Sequence, residues 1–190
     1  MKSLIDDIIM YEPVDEKECA EKDLILSFLQ NAPEPLERTN LTGHMTVSAW
    51  AVNPQRTKVL MAYHKIYDSW AWLGGHADGC ADLAAVAVKE ACEEAGLTRE
   101  NVRLVSRKPL SLEILTVSGH WKKGKWVPSH LHYNVTYLLE AEEKDALHVK
   151  PDENSGVAWF TVDEALKAGT EPWMVERIYR KLVAKQQIIC

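Results

Sequence analysis

The sequence of 190 residues lacks the features that mark membrane and secreted proteins. No stretch approaches the roughly 18 to 20 uninterrupted apolar residues that cross a bilayer. The apolar run within residues 1–10 is interrupted by Asp6 and Asp7, unlike the apolar core of a signal peptide. We therefore expect neither a membrane anchor nor a signal peptide.

Positive charge is also scarce. There are 22 Lys and Arg against 28 Asp and Glu, which gives a net charge of -6, so no broad basic face is available for nucleic-acid phosphates. A phosphate loop of the pattern Gly-x4-Gly-Lys-Ser/Thr is absent, so P-loop phosphoryl transfer is not supported. We expect no nucleic-acid partner.

Cysteine is sparse and scattered. The four residues, Cys19, Cys80, Cys92 and Cys190, show no Cys-x-x-Cys spacing. This pattern indicates neither a zinc knuckle nor a disulfide framework. Reduced thiols and a cytoplasmic location are the expectation.

The composition that remains, 46% hydrophobic and 26% charged, is typical of a folded domain. Residues 1–41 are predicted to form an N-terminal helical extension, because Leu24, Ile25 and Phe28 follow a helical repeat that ends before Pro33. This extension is a candidate interface for a homodimer. Residues 42–190 are predicted to form the main domain, which includes a C-terminal helix.

The pattern within the main domain mixes strands and helices without regular alternation. Met45, Val47 and Ala49 alternate with polar or aromatic residues, which predicts a strand. Further strands are predicted over residues 58–63, 70–73, 102–105, 112–118 and 126–140, the last two joined as a hairpin across residues 119–124. Helices are predicted over residues 82–95, after the capping box at residues 161–164, and over residues 172–187. The order of elements predicts an α+β fold.

Three acids lie on one face of the helix predicted over residues 82–95. Glu90, Glu93 and Glu94 fall within an arc of roughly 100°, because positions i, i+3 and i+4 share a helix face. Such like charges destabilise a helix by a few tenths of a kcal/mol unless a cation lies among them. Gly74 and Gly75 precede the helix and allow a close backbone approach to an anion. The pattern favours a site for Mg²⁺ or Mn²⁺.

The segment from Gly75 to Leu97 resembles the Nudix box, G-x5-E-x7-R-E-U-x-E-E-x-G-U, in which U is a bulky apolar residue. Gly75 stands at the first glycine, Lys89 and Glu90 at the R-E pair, Glu93 and Glu94 at the E-E pair, and Gly96 and Leu97 close the box. Ala81, Lys89 and Ala91 depart from the pattern. In the family, the first glutamate and the arginine support each other. We therefore hypothesise that Asp82 and Lys89 form a replacement pair.

The resemblance implies a Nudix-like mixed β-sheet sandwiched between helices. It also implies metal-dependent hydrolysis of a diphosphate linkage in a small molecule, a nucleoside diphosphate joined to another moiety. Glu90, Glu93 and Glu94 are the expected metal ligands, and Glu90 and Glu94 the expected catalytic residues, with Glu90 the first choice of general base. Because Nudix relatives also use a base outside the box, Glu113 and Glu153 are alternatives.

A row of polar residues is predicted on the strand over residues 126–140. The period of two places His130, His132 and Asn134 on one face. We expect His130 and His132 to contact substrate or phosphate, as we do Gly75, His76 and Lys89. His-x-His spacing also suits zinc or iron, although the sequence assigns no third ligand.

Two other functions stay open. An isopentenyl diphosphate isomerase-like enzyme shares the fold, although the sequence does not place its catalytic cysteine or its His/Glu metal cluster. A non-catalytic Nudix domain that senses a nucleotide is the other alternative, because the box departs from the family pattern.

Overall fold

The computed structural model describes residues 1–65, 68–122, 124–144 and 146–188. Its strands are β1 (Gly43–Val52), β2 (Lys58–His64), β3 (Ser69–Ala71), β4 (Leu73–His76), β5 (Val102–Leu104), β6 (Ser111–Val117), β7 (His120–Lys122), β8 (Lys125–Val127), β9 (His130–Ala141) and β10 (Asn154–Thr161). Its α-helices are α1 (Lys2–Ile9), α2 (Glu16–Asn31), α3 (Leu83–Ala95), α4 (Val162–Ala168), α5 (Pro172–Met174) and α6 (Arg180–Gln186). A π-helical turn, Val175–Tyr179, joins the last two helices, and a short 3-10 turn covers Arg99–Asn101.

The centre of the molecule is a mixed sheet of eight strands within the described ranges. Its main path is β10-β2-β1-β9-β5, with β3 paired to β2, β4 to β1 and β6 to β9. β1 and β9 run parallel, from the pair Gly43 and Leu131 to the pair Val52 and Glu140, while the other pairings in this sheet are antiparallel. β7 and β8 form a separate ribbon.

Side chains that alternate along β1 divide the core between the two faces of the sheet. Met45 and Val47 pack in the core that contains apolar residues of α1, α2 and α3. Trp50 and Val52 pack in a second core with α4 and the C-terminal helical run. Helices therefore cover both faces, and the predicted α+β fold is confirmed. No helix within the described ranges has both the length and the apolar character to cross a membrane.

α3 forms as its sequence predicts. The Asp82 side chain accepts a hydrogen bond from the Ala85 N–H, and Gly96 ends the helix with a left-handed φ of 71°. The buried face carries Ala87 and Ala91, whose small side chains let the helix lie close to the sheet. This close packing brings the acidic residues of α3 next to β4.

Other elements differ from the predictions. The strand expected over residues 126–140 is divided into β8 and β9, because Pro128 has no N–H to give to a strand partner. The turn of the hairpin that was predicted across residues 119–124 includes residue 123, which lies outside the described residues. α1 was not predicted, and on α2 Ile25 is buried whereas Leu24 is 57% exposed. The division at residue 42 stays a prediction, since Leu4 and Ile25 pack in the same core as α3.

Candidate functional site

Two glycines of β4 position the acidic residues of α3. The Gly74 N–H donates a hydrogen bond of 2.8 Å to Oε2 of Glu94. A Cβ on Gly75 would lie 2.6 Å from Cδ of Glu90, closer than any real contact, whereas the glycine leaves room for this carboxylate against the strand. β4 therefore needs glycine here for the acidic side chains to lie beside its backbone.

Carboxylates from α3 and from the loop before β10 converge on one ammonium group, that of Lys150. Its Nζ lies 2.9 Å from Oε2 of Glu153, 3.6 Å from Glu93 and 3.9 Å from Glu90. Burial alone would lower the pKa of Lys150, but the surrounding carboxylates, Glu153 first, raise it. We call Lys89, Glu90, Glu93, Glu94, Lys150 and Glu153 the glutamate cluster.

Lys89 is a second cation of this cluster. Its Nζ lies 3.2 Å from Glu90 and 3.1 Å from Glu93, and the hydrogen bond to Glu93 contributes most to raising its pKa. The structure thus brings Gly75, Lys89, Glu90, Glu93 and Glu94 together with one of the two outside candidates, Glu153. Lys150 was missed, because a lone lysine in a loop before Pro151 carries no pattern.

Glu94 is the most deeply buried acid of the cluster, with 1% of its surface exposed. Burial raises the pKa of Glu94 to about 8, and the nearby charges of Glu153 and Glu90 add to the shift. The hydrogen bond from Gly74 opposes the shift without reversing it. Glu94 is therefore largely protonated at neutral pH when no divalent ion is bound, although the nearby Lys150 ammonium favours the ionised form.

The hypothesised pair of Asp82 and Lys89 is wrong. Oδ1 of Asp82 accepts hydrogen bonds from the Ala85 N–H at 3.1 Å and from the guanidinium of Arg107 at 2.8 Å. Lys89 instead contacts Glu90 and Glu93. Seven residues of helix span about 10 Å, and Asp82 is held at the helix start by its capping role.

The other outside candidate for the general base, Glu113, lies in a different environment. It is fully buried and accepts hydrogen bonds from Thr136 Oγ1 at 2.9 Å and from Asn134 Nδ2 at 3.2 Å. Lys181 Nζ lies 3.1 Å from Glu113 and 2.9 Å from Glu18. Glu113 thus belongs to a buried ion-pair network that joins α2, the sheet and α6.

The predicted histidines form a third group. His76 follows Gly75 on β4, so its side chain points to the face opposite α3. There His76 meets His132, with ring centroids 5.1 Å apart, and His130 lies 5.0 Å from His132. His44, at the start of β1, lies within 5.1 Å of all three rings and was missed. Contact of these residues with phosphate stays a prediction.

Comparison with known proteins places the chain in a family. The NUDIX domain family model matches residues 42–183, whereas no curated protein matches the chain. The structure is similar to an Ap4A hydrolase from C. elegans, solved as a binary complex, with a TM-score of 0.53 and 18% identity over 77% of this chain and 96% of that one. It is also similar to RenU, a Nudix hydrolase from M. smegmatis, with a TM-score of 0.52 and 17% identity over 78% of this chain and 88% of that one.

These structural likenesses confirm the predicted Nudix-like fold, a mixed sheet between helices. The family match supports the predicted class of enzyme, a pyrophosphohydrolase, and Nudix hydrolases generally use divalent metal ions and act on small molecules. Since the match covers most of the sequence and includes the whole box, the chain belongs to the Nudix family.

Proposed function

We propose that this protein hydrolyses a diphosphate linkage in a nucleoside diphosphate joined to another moiety, with Mg²⁺ or Mn²⁺ as cofactor. The observation that carries the proposal is the convergence of Glu90, Glu93 and Glu153 on the Lys150 ammonium beside Gly75. A protein of net charge -6 needs such a local concentration of cations to bring an anionic diphosphate to its carboxylates.

The glutamate cluster fits a hard divalent cation. Its donor atoms are carboxylate oxygens, which Mg²⁺ and Mn²⁺ prefer. The two ammonium groups that lie among these carboxylates support the proposal of a cation site. Glu90, Glu93 and Glu94 would hold the ion. When bound, such an ion neutralises charge on phosphate oxygens and lowers the pKa of a coordinated water.

The residues of the chain then divide the remaining work. Glu90, which lies against Gly75, is the proposed general base. Glu94 is the second proposed catalytic residue, and the hydrogen bond from the Gly74 N–H holds its side chain in place. Glu153 is a better candidate than Glu113 for a base outside the box, because it lies in the same cluster. Lys89 has 60% of its side chain exposed and can turn toward a phosphate oxygen.

The test is a substrate screen in Mg²⁺ or Mn²⁺ with four classes of compound: nucleotide sugars, dinucleoside polyphosphates, oxidised nucleotides and isopentenyl diphosphate. We expect hydrolysis of at least one nucleotide, loss of turnover in Glu90→Gln and in chelator, and full turnover in the control Glu176→Gln, which changes an exposed acid on the C-terminal helical run. Binding without turnover would favour the sensor alternative. Isomerised diphosphate without phosphate-containing products would favour the isomerase-like alternative, and either result would refute the proposal.

A further inference from the structure

The four histidines on the sheet face opposite α3 come from three strands that are distant in sequence. Parallel pairing of β1 and β9 sets His44 beside His132, and pairing of β1 and β4 sets His76 beside Thr46, two residues from His44. His130 lies two residues before His132 on the same face. We call His44, His76, His130 and His132 the histidine cluster.

The spacing of the nitrogen atoms is close to that of a metal site. One ring nitrogen from each of His44, His130 and His132 lies within 4.8 Å of the other two. Nε2 of His130 and Nε2 of His132 are 3.2 Å apart. A tetrahedral ion with metal–nitrogen bonds of about 2.0–2.1 Å holds its ligands about 3.3 Å apart, so the Nε2 atoms of His130 and His132 already have the separation that coordination requires.

Hydrogen bonds to backbone carbonyls orient two of these rings. Nδ1 of His130 is 2.8 Å from the Pro128 carbonyl oxygen, and Nδ1 of His44 is 3.3 Å from that of Asn40. A carbonyl oxygen only accepts, so Nδ1 carries the proton in both rings and Nε2 presents a lone pair. Metal-binding histidines in proteins are commonly oriented in this way, because the ring nitrogen that does not bind the metal donates its N–H to a carbonyl oxygen.

His44 supplies an independent sign that a partner belongs here. Its side chain is buried, with 4% of the residue exposed, and its Nε2 has no hydrogen-bond partner among the described residues. A buried polar atom without a partner costs about 1–3 kcal/mol. An ion that accepts this lone pair would remove that cost.

The buried surroundings of the cluster disfavour charged imidazoles. Burial lowers the pKa of His44, of His76 and of His132. The positive charge of the nearby Arg38 also lowers the pKa of His44 and of His76. This charge is offset by Asp78, because Nε and Nη2 of Arg38 each donate a hydrogen bond of 2.7 Å to an Asp78 carboxylate oxygen.

We propose that His44, His130 and His132, with the His76 ring beside them, bind one first-row transition-metal ion, with Zn²⁺ as the favoured ion. Imidazole donors suit Zn²⁺, whereas the carboxylate oxygens of the glutamate cluster suit Mg²⁺. The chain would thus hold two kinds of ion on opposite faces of β4. This proposal does not depend on the proposed hydrolysis.

The test uses the full chain, stripped with a chelator and titrated with Zn²⁺ by calorimetry and with Co²⁺ by visible absorption. We expect one ion per chain and Co²⁺ bands typical of nitrogen ligands in a four- or five-coordinate site. His130→Asn and His132→Asn should each weaken Zn²⁺ binding by about 100-fold or more, the upper end of what the loss of even an outer-shell partner costs. His148→Asn, at an exposed histidine outside the cluster, and Glu90→Gln should bind Zn²⁺ as the wild type does.

Thermal unfolding in the absence and presence of Zn²⁺ separates lost binding from lost folding. The wild type should gain stability in Zn²⁺, and a folded His130→Asn variant should not. Absence of Zn²⁺ and Co²⁺ uptake by the folded wild type would overturn the proposal. So would Zn²⁺ binding that survives both cluster variants or disappears in Glu90→Gln, because the ion would then belong to the glutamate cluster.

Discussion

Replacement of Glu94 by glutamine separates the charge of this residue from its shape. The side-chain amide oxygen of a Glu94→Gln variant would still accept the hydrogen bond that the Gly74 N–H donates at 2.8 Å. The substitution removes the ionisable group whose pKa burial raises to about 8. We therefore expect an effect on stability that depends on pH rather than a uniform loss.

The sign of this effect follows from proton linkage. The pKa of Glu94 rises from its ordinary value of 4.5 to about 8 in the fold, so between these pH values the native state binds more protons than the unfolded state. The free energy of unfolding of the wild type consequently falls as the pH rises through this window. At about 1.4 kcal/mol for each pKa unit, the upper limit of the loss is about 5 kcal/mol.

Urea unfolding at pH 5, 6.5 and 8 in chelator measures this effect directly. Glu94→Gln has no such contribution, so its stability relative to the wild type should increase by several kcal/mol from pH 5 to pH 8. Glu176→Gln, at an exposed acid, should show no comparable trend. If the difference between Glu94→Gln and wild type stayed within about 0.5 kcal/mol over this range, Glu94 would be ionised in the fold and the reasoning would be wrong.

Three further predictions test the parts that position the site. Gly75→Ala should lower kcat by displacing Glu90 with little change in stability, whereas Gly74→Ala, whose Cβ would lie 2.3 Å from the Val47 carbonyl, should destabilise the fold by roughly 1–3 kcal/mol in urea unfolding. Asp82→Ala should cost about 1 kcal/mol through loss of the helix cap, and Asp82→Asn much less. Burial opposes ionisation of Glu18, but bonds from Tyr11 and Lys181 lower its pKa to about 2, so wild-type stability should fall between pH 4.5 and 2, and Glu18→Gln should remove this fall in acid unfolding.

The parts of the fold that the sequence predicts are those set by local patterns. α3 has an N-cap at Asp82, a Gly96 at its end and small apolar residues on one face, and each of these signals lies within one short segment. The grouping of Glu90, Glu93 and Glu94 with Gly75 follows from the same segment, because strand, loop and helix are consecutive. The resemblance of the segment from Gly75 to Leu97 to the Nudix box was therefore enough to predict most of the residues of the glutamate cluster.

The parts that the sequence does not predict depend on pairing between distant strands. His44 meets His132 only because β1 and β9 run parallel in a particular register, and no single segment records that register. Lys150 reaches the cluster from a loop far along the chain. The predicted pair of Asp82 and Lys89 is wrong for a different reason. Helix periodicity predicts the direction in which each side chain leaves the helix axis, but it does not predict whether two side chains are close enough to meet. It also does not predict a competing partner from another segment, such as Arg107.

One dipeptide of β4 links the two clusters. Gly75 faces α3, where its missing side chain makes room for Glu90, and His76 faces the other side, where it meets His44 and His132. Because successive residues of a strand point to opposite faces, a change of one residue in the register of β4 would disturb both clusters at once. Point substitutions, in contrast, separate them, so Gly75→Ala should alter turnover while leaving Zn²⁺ binding intact, whereas His130→Asn should weaken Zn²⁺ binding without displacing Glu90.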